Sequence, residues 1–228
     1  DPATDWIISG GKHALDFDGT NDVVKIPDVD YPVATMSAFC WVWKSAASSN
    51  LIAFSHYETS TTQRTWSFGT ANTTWTTGGT PDGNELGVIV STDGTLSAGQ
   101  HRAVWVNQSI CDSAWHHVGF TWRAGTLKLW IDGKEGTVIV HNDSAMTTLN
   151  AGTSSLSIGA INSDSTPASL WNGYVDDARL YNRALDAQEV RLLARRRGIA
   201  YETRRHRSVK AAAAGGNRRR RFLLMGGQ

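Results

Sequence analysis

Short runs of alternating apolar and polar residues recur along most of the chain, separated by turn residues, and they predict strands. HALDFD (13–18) and DVVKIP (22–27) flank a Gly-containing turn. In TMSAFCWVWK (35–44) Phe39, Trp41 and Trp43 fall on one face and Ala38, Cys40 and Val42 on the other. Both faces are apolar, so this strand is expected to be covered on both sides, inside a two-layer stack. Eight further runs continue the pattern: NLIAFSH (50–56), QRTWSFG (63–69), ELGVIVST (85–92), RAVWVNQ (102–108), WHHVGFTW (115–122), TLKLWIDGKEGTVIV (126–140), SLSIGA (155–160) and NGYVDDARLY (172–181). Asp132-Gly133 marks a tight hairpin, because a type I′ turn needs positive φ at both central residues.

One segment alone has helical features. Asp186 suits an N-cap, Glu189 completes a capping box, and Val190, Leu193 and Ala194 form a short apolar stripe. Basic residues crowd its second half, where the helix dipole favours cations, and Gly198 is the expected stop. The organisation predicted is an all-β domain over 1–185, a short capped helix over 186–198 and an extended Arg-rich segment over 199–228. About 190 residues suffice for a sizeable core. Ten Trp, sparse Pro and abundant Gly fit an antiparallel sandwich with polar loops.

Charge divides the chain more sharply than the net +1 suggests. Residues 195–228 hold eleven Lys and Arg against one acid, Glu202, for +10; residues 1–194 sum to −9. Such asymmetry marks an interaction tail. The tail has one aromatic after Tyr201, Phe222, whereas nucleic-acid binders interleave basic residues with aromatics or set them on a fold. Its end, with Arg218, Arg219, Arg220 and Arg221 followed by Phe222, Leu223 and Leu224, reads better as an anchor docking into other copies or other proteins. Nucleic-acid binding and a free, solvated tail are the lesser expectations. No run approaches 18 apolar residues, so no membrane span is predicted. No signal peptide is evident, and Asp1 in place of Met points to a processed, trimmed or truncated end. Cys40 and Cys111 permit one disulfide but fit buried free thiols as well.

The order of ALDFDGTNDVVKIP, TMSAFCWVWK, AWHHVGFTWRAGTLKLWIDGKEG, SLSIGA and NGYVDDARLYNRALDAQEV resembles the LamG-like, concanavalin A-like lectin/glucanase jelly-roll family, over about residues 13–194. The resemblance implies two antiparallel sheets packed as a jelly-roll sandwich and recognition of glycans or proteins, sometimes with calcium. Family members begin with a strand before the FDG motif. Only some twelve residues precede the HALDFDG run here, so that strand is expected to be missing or supplied otherwise. The Arg-rich end after the closing helix resembles proteins encoded among bacteriophage structural genes. A virion decoration, head-fibre or tail-associated protein, located in the phage particle, is therefore expected; a secreted carbohydrate-binding lectin with a basic tail is the alternative.

No catalytic residues are expected. Related glucanases carry E-x-D-x-x-E on a strand, where alternation aligns the carboxylates, and that string is absent. His116 and His117 are adjacent on a strand and so point to opposite faces. Among Trp66, Trp75, Trp105 and Trp171, the rings of Trp75 and Trp171 fall in polar loops. With Asn172 they form the candidate carbohydrate site, since sugars stack on exposed rings while polar neighbours align their hydroxyls; the competing reading packs these rings at loop bases or against a neighbouring subunit. For calcium, which prefers clustered oxygens, the family pattern falls on Asp18, Gly19 and Asp176. Asp176 is expected on the core side with Ala178 and Leu180. The competing reading has Asp18 capping a turn and Asp176 paired with an Arg.

Overall fold

The computed structural model describes residues 6–197 apart from 10, 11, 29, 49, 60, 164 and 165. Two seven-stranded antiparallel sheets face each other. With strands numbered in chain order, the first runs β1 (Trp6–Ser9), β2 (Lys12–Asp18), β16 (Asn172–Tyr181), β4 (Thr35–Trp43), β9 (Trp115–Arg123), β10 (Thr126–Ile131), β11 (Lys134–Glu135). The second runs β12 (Val138–Asn142), β8 (His101–Ser109), β7 (Glu85–Ser91), β6 (Trp66–Thr70), β5 (Ile52–His56), β13 (Leu156–Ile158), β3 (Val24–Ile26). A small ribbon, β14 (Ile161–Ser163) with β15 (Thr166–Ala168), completes the strands.

The core forms where the inward positions of the two sheets meet. Ala38, Cys40 and Val42 of β4 and Val118, Phe120 and Trp122 of β9 pack against Phe54, Trp66, Phe68 and Val88 of the second sheet. Trp66 and Phe120 make an edge-to-face contact across the layers, with centroids 5.6 Å apart. Burying each such side chain contributes about 1.5–3 kcal/mol. Gly119 is needed in β9 because a Cβ there would lie 2.1 Å from the Ala38 carbonyl oxygen on the neighbouring strand. Cys40 and Cys111 are buried free thiols, and burial pushes both up, Cys111 to about 11.

Local signals in the sequence act as chemistry dictates. Asp132 and Gly133 take φ of 52° and 77°, as the hairpin turn between β10 and β11 requires. Helix α1 (Ala187–Leu193) begins with the full capping box: Asp186 accepts from the Gln188 and Glu189 amides, and Glu189 accepts from the Asp186 amide. Its C-cap is Ala194, four residues short of the expected stop at Gly198. Seven residues do not make a stable helix alone. This one persists because Val190 and Leu193 sit on Phe39 and Trp130, covering part of the outer face of the first sheet.

Two expectations are corrected, and one element is added. The strand before the FDG motif is present as β1, paired antiparallel with β2 from Trp6↔Leu15 to Ser9↔Lys12. The ribbon β14–β15 was not anticipated. Asp176 is on the outer face, opposite Trp41, while Val175 enters the core. A bulge between Asp176 and Arg179, with Asp177 at φ 51°, inserts an extra residue; Ala178 and Leu180 therefore return to the core side although Asp176 does not share it.

Candidate functional site

Neither expected ring offers a face to a sugar. Trp75 is 6% exposed and Trp171 0%. Trp75 stacks on His141 at 5.7 Å and joins Ala71, Ala103 and Trp105 on the outer face of the second sheet. Small residues beneath permit close approach of this chain segment: a Cβ on Gly87 would lie 2.7 Å from the Ala71 Cα. Trp171 is sealed in the core beneath Lys44, whose Nζ donates to the Asn172 carbonyl at 2.9 Å. A polar loop sequence does not reveal that its one large ring folds back under the chain. Asn172 alone of the expected trio is exposed, and its Nδ2 donates to the Asp18 carbonyl at 3.0 Å.

The expected calcium ligands do not converge either. Asp18 is opposite Asn172 in the β2–β16 ladder, and Asp176 is four residues further along β16. At about 3.3 Å per residue that is roughly 13 Å, far beyond a shared coordination sphere. Asp18 caps its own turn, accepting from the Thr20 amide at 2.6 Å, and Gly19 takes φ 79° to make that turn. Asp176 pairs with Arg197 at 3.3 Å. No cluster of three or more His, Cys, Asp or Glu suited to a metal occurs among the described residues. These positions do not fit the ion. Chelation with EDTA is accordingly expected to leave the melting temperature unchanged; a calcium-dependent rise of several degrees would reverse this assignment.

The cleft with the best chemistry is at the edge of the sandwich. There the first sheet ends in β1 and the second in β3. Trp6, 55% exposed, lines a cleft of about 440 Å³ together with Leu15, Asp16, Phe17, Asn21, Asp22, Val23 and Val24. Leu15, Phe17 and Val24 are core-side residues, so the apolar part of the lining continues the sandwich interior. The polar part comes from the FDGTND turn, held in shape by Asp22 Oδ2 accepting from the Asp18 amide at 2.9 Å. An exposed indole beside the Asp22 carboxylate and the Asn21 amide can stack on a sugar ring while those groups bind its hydroxyls; Asp16, opposite Tyr174 in the ladder, turns its carboxylate to the outer face. Sequence reading missed Trp6 because β1 is short, although Gly10-Gly11 between WIIS and KHAL is a hairpin signal.

The outer face of the first sheet is built around a ring stack. Tyr174, Trp43 and Trp115 are register neighbours on β16, β4 and β9. Their centroids are 4.8 Å apart for Trp43–Tyr174 and 6.1 Å for Trp115–Tyr174. Arg197 covers the far side, 3.9 Å above the Trp115 ring. These rings are engaged with one another rather than presented flat to solvent.

The array of His116 with two carboxylates is structural. His116 bonds Asp132 through Nδ1 at 2.8 Å and Asp112 through Nε2 at 3.0 Å, so both ring nitrogens are committed. The Asp132 hydrogen bond, joined by Asp112, raises the His116 pKa above 6.5. A raised histidine stabilises the fold fully below its unfolded pKa, and that contribution is lost as pH rises through the folded value. His56 and His117 are depressed by burial, His117 to about 4, and act oppositely, losing stability on acidification. The diagnostic is therefore a difference: the melting-temperature gap between wild type and His116→Asn is expected to shrink as pH rises above about 6.5. A gap independent of pH would show that His116 is not held charged.

Comparisons with known proteins agree with this architecture. Residues 18–191 match the family described as "Concanavalin A-like lectin/glucanases superfamily". A comparison with curated protein sequences gave no match. Among solved structures, a heptameric SAP-like pentraxin from Limulus polyphemus is similar at TM-score 0.55 and 15% identity, over 78% of this chain and 80% of that one. A putative carbohydrate binding protein from Bacteroides ovatus gives 0.57 and 14%, over 78% of this chain and 45% of its own. The CBM40 of the Ruminococcus gnavus IT-sialidase, bound to α2,3 sialyllactose, gives 0.52 and 12%, over 76% and 97%. At such identities the likeness concerns the fold.

Proposed function

Since the chain belongs to the concanavalin A-like lectin/glucanases superfamily, we propose that it is a non-catalytic carbohydrate-binding domain that takes its ligand in the edge cleft at Trp6. The observation that carries the reading is the exposed indole of Trp6 in one cleft with Asn21 and Asp22. Structural neighbours that include a putative carbohydrate binding protein and a sialyllactose-bound module support the ligand class. Among the described residues no basic side chain lines the cleft, so neutral oligosaccharides are expected over sialylated ones, the reverse of that module's ligand. A printed glycan array probed with the full-length protein tests this. Binding to neutral oligosaccharides supports it; silence across the array, or binding to acidic glycans alone, removes it.

We further propose that the domain is displayed on a larger assembly, a bacteriophage particle, and anchored through residues 199–228. Those residues lie outside the described part of the chain. The reading rests on the split between a −9 domain and a +10 tail ending in RRRRFLLM. Many copies would multiply a weak site into useful avidity. Deleting residues 203–228 is expected to abolish self-association or incorporation into particles without lowering the melting temperature of the sandwich. Unchanged assembly would leave the secreted lectin as the better description.

A further inference from the structure

We infer that Arg197 is a positioning residue for the edge cleft, pegging strand β1, and with it Trp6, to the outer face of the first sheet. The inference rests on the proposed binding role of the cleft.

β1 needs such a fastening. It has four residues, pairs only with β2 among the described strands, and leaves Trp6 55% and Ile8 70% exposed. An edge strand with so little buried apolar surface frays easily. Ser9, at its end, is gripped from two sides. The Trp115 Nε1 donates to the Ser9 Oγ at 3.0 Å, and the Arg197 guanidinium donates to the Ser9 carbonyl.

Arg197 is itself locked, at 9% exposure. Its guanidinium lies 3.9 Å above the Trp115 ring, and Nη1 is 3.3 Å from Asp176 Oδ2. Burial raises the Asp176 carboxyl and the Arg197 charge opposes that rise. A planar guanidinium can stack, pair and donate to a carbonyl simultaneously; an ammonium cannot. Trp6 and Arg197 are thus joined by three residues of β1, though Ser9 and Arg197 are 188 positions apart in sequence. The bulge that turns Asp176 outward is what makes the partner available.

Hydrogen exchange on the full-length chain tests the peg without any ligand. In Arg197→Ala the amides of Trp6–Ser9 are expected to exchange at least tenfold faster while those of β4 and β9 keep their rates. Arg197→Lys retains the charge near Asp176 and is expected to give an intermediate rate. If Arg197→Ala does not fold, Asp176→Asn with Arg197→Met removes the uncompensated carboxylate and provides the same readout. Affinity for the strongest-binding oligosaccharide of the array is expected to fall at least tenfold alongside. Unchanged exchange in β1 overturns the peg; faster exchange with unaltered affinity overturns its role in the cleft. A wild-type chain that binds no oligosaccharide removes the functional reading, and the exchange rates still decide whether Arg197 holds β1.

Discussion

Trp66→Ala is expected to lower the unfolding free energy by about 4 kcal/mol, within the range for emptying a large buried aromatic site. For a domain of this size that corresponds to a melting temperature lower by roughly 8–16 °C. Trp66 is fully buried and contacts Phe54, Phe68 and Phe120, so its removal opens a cavity between both sheets. A second loss is specific to the indole. Trp66 Nε1 donates to the Tyr31 hydroxyl at 2.9 Å, and that hydroxyl contacts His56 Nδ1 at 2.5 Å. His56 Nε2 contacts the Ser154 carbonyl at 2.8 Å. Trp can only donate and a carbonyl can only accept, so the direction of the chain follows: Trp66 to Tyr31, Tyr31 to His56, His56 Nε2–H to Ser154. Burial lowers the His56 pKa, in keeping with that neutral tautomer. Trp66→Phe retains most of the volume and is expected to cost less, the remainder reporting the lost donor. Urea denaturation at unchanged m-value measures both; a loss under 1 kcal/mol for alanine would contradict this account of the core.

Trp6→Ala is expected to do the reverse, weakening oligosaccharide binding by about 30-fold, some 2 kcal/mol, with the melting temperature within a degree or two. The ring is more than half exposed, so the fold loses little when it goes, while the cleft loses its exposed aromatic platform beside Asn21 and Asp22, Phe17 being buried beneath it. Trp75→Ala and Trp171→Ala supply the contrast. Both rings are buried, so these variants are expected to lose stability and to keep the affinity of the folded fraction. Isothermal titration with the array's strongest-binding oligosaccharide, paired with sedimentation velocity, separates the outcomes. Wild-type affinity in Trp6→Ala would move the site elsewhere. A change in sedimentation without a change in affinity would make the Trp6–Ile8 patch a protein contact instead.

Much of the fold was legible because the signals are local. Period-two alternation placed β4, β9 and β16, and the sides of His116 and His117 followed from adjacency alone. Asp132-Gly133 needs positive φ wherever it sits, and Asp186 with Glu189 caps a helix by its own hydrogen bonds. The bulge at Asp177 was not legible, and one inserted residue was enough to move Asp176 from the expected inner side to the outer one. β1 was overlooked for a related reason: four residues carry too little periodicity, and their identity as a strand depends on β2 lying beside them.

The sequence by itself determined the class of fold, the two inward stripes, the hairpin and helix starts, and the division between an acidic body and a basic tail. These are set by side-chain type and by spacing along one chain. Only the tertiary structure decided which of the tryptophans are available. Alternation says to which side of a strand a ring points, but not whether anything lies across from it. Trp75 is covered on the outer face of the second sheet and Trp171 lies in the core, while Trp6, at the rim where the sandwich is open, stays in water. That Asp176 pairs with an Arg was one reading of the sequence and holds; which Arg was out of reach, since Arg197 meets it only after the chain has closed the sandwich and turned back past helix α1.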